Sequence, residues 1–135
     1  MSLIVPNSGK IQLLDALLAS EDMTLKLYKN NVTPTAYSVI GDFTECDFSG
    51  YSEKTLTAGD WGAASILGTE ASSTYNDVQE WTCGATPNDV YGYFVVGVDS
   101  GILLWAELFY DDPPKTMTSG LTLGVTVIFT LNSAT

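Results

Sequence analysis

The side chains able to do chemistry in this chain are almost all carboxylates: sixteen Asp and Glu stand against five Lys, with no Arg and no His. Without imidazole there is no Ser-His or Cys-His nucleophile pair and no histidine metal ligand. Without guanidinium there is no bidentate clamp for phosphate or carboxylate, and no Walker-type or dinucleotide-binding glycine pattern occurs. Asp42, Glu45 and Asp47 in GDFTECDFSG, and Asp111-Asp112 in YDDPP, offer oxygen ligands of the kind calcium takes, but without the regular spacing of an EF-hand loop. The plainer reading is solvated loop carboxylates or turn caps. Glu107 is the only acid inside a strongly apolar run, and a glycosidase would need a second carboxylate facing it across a cleft. A place at the wet margin of a sheet, or at an interface, explains it better. The expectation is a non-enzyme with no metal and no cofactor.

The aromatic residues offer a second chemistry. Trp61, Trp81, Tyr91, Tyr93, Trp105 and Tyr110 could form a sugar-stacking platform, although in a small β domain such residues more often fill the core. Cys46 and Cys83 are too few and too far apart to suggest a disulfide framework or a zinc site, and read as separate buried thiols.

The formal net charge of −11 repels phosphate backbones, so nucleic acid is not an expected partner. No run approaches the ~20 apolar residues of a membrane span, and MSLIVPNSGK has no basic residue before its short apolar run, unlike a secretory signal. The triplet Asn31-Val32-Thr33 is followed by Pro34 and is set aside as a glycan acceptor. A chain of 135 residues with 45% hydrophobic content is sized for one domain with a real core.

What must position these residues is mostly strand. Residues 8–20 place Ile11, Leu14, Leu17 and Leu18 at helical spacing after Ser8 as a cap, with Leu13 widening the stripe and Lys10, Gln12, Asp15 and Ser20 left exposed. From Met23 the period becomes two: Met23, Leu25 and Leu27 alternate with Thr24, Lys26 and Tyr28. Residues 36–48 read as irregular or one short helical turn, 51–57 as a short edge strand, 58–76 as mostly loop with Trp61 as anchor, and 77–83 as a strand. The cleanest alternation is LTLGVTVIFTLN, with Leu121, Leu123, Val125, Val127, Phe129 and Leu131 on one face and Thr122, Gly124, Thr126, Ile128 and Thr130 on the other. One helix followed by six to eight strands indicates an all-β fold, an antiparallel β-sandwich of jelly-roll type. Residues 1–22 form its arm and helix, and 23–135 form the sandwich.

Residues 90–98 and 102–110 form a hairpin about the turn Asp99-Ser100-Gly101, and it is apolar on both faces. One face should meet the opposite sheet. The helix at 8–20 is expected to cover part of the other, and a partner the remainder, because each apolar side chain left in water forgoes about 1.5 to 3 kcal/mol. Tyr91, Tyr93, Trp105 and Phe109 are the residues expected at such an assembly interface.

The run VYGYFVVGVDSGILLWAELF with its proline pair, the terminal TSGLTLGVTVIFTLN, the start LIVPNSGKIQLLDALL and DFTE at 42–45 together resemble small proteins encoded in the structural gene blocks of tailed bacteriophages. The likeness covers both ends and about half the chain, and its motifs are not catalytic. It departs from the usual pattern at Gly120-Leu121, where the terminal strand ordinarily opens with Gly-Asp. The resemblance implies a virion structural protein, foremost a capsid decoration or cement protein on the outer surface of the shell. It would be made in the host cytoplasm, with the major capsid protein and its own copies as partners, as a trimer first and a dimer second. A tail or head-tail component and a carbohydrate-binding sandwich module are the alternatives.

Overall fold

The apolar spacing at 8–20 produces one helix, α1 (Asn7–Ser20). The strands follow in chain order: β1 (Met23–Tyr28), β2 (Lys54–Leu56), β3 (Ser65–Leu67), β4 (Glu70–Thr74), β5 (Gln79–Thr82), β6 (Asn88–Val90), β7 (Gly92–Gly97), β8 (Leu103–Leu108), β9 (Lys115–Met117), β10 (Thr122–Val125) and β11 (Ile128–Asn132). The computed structural model describes residues 1, 3–109 and 113–132. All pairings are antiparallel, in a four-stranded sheet of order β2-β1-β7-β8, a three-stranded sheet β11-β4-β3, and the ladders β10-β5 and β6-β9. The fold is all-β and sandwich-like, with a single N-terminal helix among the described residues.

In α1 the buried stripe is Lys10, Leu14 and Leu18, one residue every four, flanked by half-buried Ile11 and Leu17. Three expectations fail here. Ser8 lies inside the first turn and Pro6 is the cap, its carbonyl accepting the Lys10 N–H at 3.0 Å. Leu13 faces water, and Lys10, expected outside, is buried with its ammonium donating to the Thr69 carbonyl at 2.7 Å. A long aliphatic stem lets a lysine lie along the core and still bring its charge to a turn.

Strand β1 forms as its alternation requires, with Met23, Leu25 and Leu27 wholly buried. They join Leu14, Leu18, Leu56, Ala71, Trp81, Tyr93, Val95, Val125 and Val127 in one core. On its other face Tyr28 and Phe94 pack with Phe43, and half-buried Val32, Tyr91, Val96, Leu103, Ala106 and Leu108 surround them. The second face of the hairpin is therefore covered by the chain's own segment after β1. The helix does not cover it: α1 packs on β3, β4 and β11. The failure of alternation in ILLWAEL has a local cause as well. Val95 pairs with Trp105 while Val96 pairs with Leu103, so Leu104 is an extra residue, and this bulge lets Leu104 and Trp105 both reach the main core.

Residues 58–76, expected to be mostly loop, contain the hairpin β3–β4, turned at Gly68 with φ +66°. Its strands are rich in Ser, Thr and Ala, whose own preference for strand is weak; the distant strand β11 completes the pairing. From Leu123 onward the terminal alternation is correct in phase, with Val125 and Val127 buried and Thr126 and Thr130 outside, but Leu121, expected on the inward face, is exposed. It is not one strand, however: β10 pairs with β5, and after Thr126 the chain changes partner so that β11 pairs with β4.

Candidate functional site

Among the described residues, strand β8 has β7 on one side only, and β11 has β4 on one side only. Each leaves every second backbone N–H and C=O pointing away from its partner. Between these edges runs a groove of about 430 Å³, walled by Tyr93, Trp105, Ala106 and Glu107 on one side and by Thr126, Ile128, Phe129 and Thr130 on the other. A second groove, of about 460 Å³, lies between Leu103, Leu104, Trp105 and Ala106 of β8 and the loop residues Pro34, Thr35, Ala36 and Ser38.

The first groove is apolar at its floor and polar at its rim. Trp105 stacks at a tilt on Phe129, with ring centroids 4.3 Å apart, and meets Trp61 edge-on at 6.0 Å, which in turn meets Tyr75 at 5.1 Å. The Tyr93 hydroxyl donates to Glu107 Oε2 at 2.8 Å. Burial first, and then the Glu107 bond and charge, hold the Tyr93 hydroxyl far above the usual tyrosine range, so it remains a neutral donor. The Trp105 indole N–H lies near enough to that hydroxyl to favour its ionised form slightly, yet it makes no hydrogen bond of acceptable geometry. Glu107 is exposed, and among the described residues it is the one carboxylate lining the groove. The facing pair of acids that glycoside hydrolysis needs is not assembled there. The arrangement can bind, through backbone edges, an aromatic floor and a carboxylate at the rim.

Of the four residues expected at an interface, the structure brings Tyr93 and Trp105 to this groove. Tyr93 is buried, with its hydroxyl bonded to Glu107. Phe109 is half-buried beside Tyr93, 6.3 Å between centroids, and Tyr91 belongs to the opposite face with Tyr28 and Phe94. Of the candidate sugar platform, Trp81 is also core, its indole N–H donating to the Ser52 carbonyl at 2.7 Å; Tyr110 lies outside the described residues. Ile128 was the missed signal: an apolar side chain on the threonine face of the terminal alternation, 48% exposed.

The acidic candidates disperse. Asp42 accepts the Val39 N–H at 2.9 Å, Glu45 accepts the Tyr51 hydroxyl at 2.7 Å, and Asp47 accepts the Lys29 ammonium at 2.9 Å. No group of three or more His, Cys, Asp or Glu that could hold a metal ion occurs among the described residues, and Asp111 and Asp112 lie outside them. Cys46 and Cys83 are free and buried, and desolvation pushes the Cys46 thiol up to about 12, which makes it unreactive at neutral pH. No known protein family matches the chain, and neither a curated protein nor a solved structure shows significant similarity to it.

Proposed function

We propose that the protein is a virion structural component of a tailed bacteriophage, a capsid decoration or cement protein that stabilises the shell by burying surface against neighbouring capsid subunits. The observation that carries this reading is the pair of free sheet edges, β8 and β11, flanking an aromatic-floored groove. A long apolar edge is a template for pairing with another chain. The sequence resemblance to phage structural-block proteins supplies the setting, and a net charge of −11 suits the outside of a shell packed with DNA. The working form is a homo-oligomer seated on a symmetry axis, a trimer before a dimer, bound to the major capsid protein.

Quantitative mass spectrometry of purified particles tests this: a decoration protein occurs in hundreds of copies and binds empty shells, raising the temperature at which they come apart. A few copies per particle would make it a tail or head-tail component. Absence from particles would overturn both. One observation favours a second reading, a carbohydrate-binding module. Trp105 lies beside the hydroxyls of Thr126 and Thr130 and the carboxylate of Glu107 in one groove. Retention of the isolated protein on a glycan, lost in Trp105→Ala, would put that reading first.

A further inference from the structure

The groove at β8 lacks a strand, and the chain carries a short apolar arm ahead of α1. Leu3 and Ile4 are adjacent apolar side chains, 91% and 76% exposed, in a segment without regular structure that pairs with nothing among the described residues and leads through half-buried Val5 and then Pro6 into the helix. In the single chain the arm does not lie on the groove, and the groove stays open.

The geometry points to an exchanged arm: residues 3–5 of one copy add as a short strand to the β8 edge of a second copy, between β8 and β11. Strand addition satisfies the outward N–H and C=O groups of β8. Successive side chains of an added strand point to opposite faces, so Ile4 faces the wall of Ile128 and Phe129 while Leu3 and Val5 face away from it. Pro6 has no N–H to donate and so ends the ladder where the helix begins.

Charge favours a second copy of this chain as the occupant. Two bodies of −11 repel, but residues 1–14 contain no acid and one Lys, and the β11 wall contains no acid either. The arm can therefore enter the groove without opposing two carboxylates, and Glu107 at the rim keeps its bond from Tyr93. The inference rests on the groove being an assembly surface, and not on which particle is assembled.

Two singly substituted proteins, Ile4→Cys and Ile128→Cys, test it when mixed and oxidised; both positions are exposed, and the native Cys46 and Cys83 are buried. The expected result is a mixed disulfide dimer in excess over either homodimer. Light scattering of the unsubstituted protein should give a concentration-dependent mass above that of one chain, rising with salt as like-charge repulsion is screened. Leu3→Asp with Ile4→Asp should weaken association more than tenfold with the melting temperature unchanged. Absence of the mixed dimer, a crosslink within one chain of the doubly substituted protein, or a charged-arm variant that associates unchanged would each overturn the inference. Self-association without shell binding would support the arm and overturn the shell reading. Shell binding by a strict monomer would do the reverse.

Discussion

The four-stranded sheet ends differently on its two sides. At one edge β2 is three residues long, with Thr55 exposed, Leu56 wholly buried, and the Lys54 ammonium 5.5 Å over the Trp81 ring. At the other, β8 is six residues long, five of them apolar, with Glu107 as its one charge. Each edge has a tyrosine–carboxylate pair nearby, Tyr51 to Glu45 at 2.7 Å and Tyr93 to Glu107 at 2.8 Å. Lys26 balances Glu45 at 3.7 Å, whereas among the described residues Glu107 has no cation within bridging distance. Short edges carrying lysine discourage a further strand, and long apolar ones invite it. One side of the sheet is closed off; the other is open to a further strand.

The largest effect expected is common to both sides. Burial pushes Tyr28 up to about 12, chiefly by desolvation, and raises Tyr51 and Tyr93 further, with their carboxylate partners adding to the shift. The unfolded chain ionises its tyrosines near pH 10, so the folded state's advantage is intact below that value and is lost as pH rises through the folded pKa values. Circular dichroism and tyrosinate absorbance should change together above about pH 10. Free titration of these tyrosines in a still-folded protein would mean neither pair is buried.

The next effect separates the edges. Leu56→Ala removes the anchor of β2 and is expected to cost about 2 to 5 kcal/mol in denaturant unfolding, without altering association. Phe129→Ala, on the groove wall and half-buried, should cost about 1.5 to 2.5 kcal/mol, half the penalty of a fully buried Phe, and should also weaken association. Equal costs with no effect on association would erase the distinction between a closed edge and an open one.

What the sequence disclosed follows the same division. β1 was legible because Met23, Leu25 and Leu27 alternate strictly, and the β7–β8 hairpin because of its apolar density around Asp99-Ser100-Gly101, where Gly101 takes φ +68°. The pair β3–β4 was hidden, since Ser, Thr and Ala carry little strand signal until β11 pairs with them. The cover of the hairpin by Val32 and Phe43 was hidden too, because those residues lie far from β7 in sequence and belong to an irregular segment. Trp105 and Glu107 stood out by type, but that β8 is an edge depends on long-range strand order, which no local pattern encodes.

The smallest effect concerns the two acids that join α1 to β1 and hold one turn at each edge. Glu21 Oε1 accepts the N–H groups of Asp99 and Ser100 at 2.9 and 3.0 Å, fixing the turn that leads into β8. Asp22 Oδ1 accepts the Ala58 N–H at 2.9 Å, just past β2. The Ser100 N–H, more than any other group, holds the Glu21 carboxyl below its ordinary value of 4.5, so the carboxylate is the form the folded state prefers. Its contribution is present above that ordinary value and disappears as pH falls through the depressed one. Amide exchange at Asp99 and Ser100, corrected for the intrinsic rate, should therefore speed up severalfold in that acid range. Glu21→Gln should produce the same loosening at neutral pH, and Asp22→Asn should loosen Ala58 alone. If either substitution loosened both turns together, the two edges would be one cooperative unit, and the open edge could not adapt to a partner without disturbing the closed one.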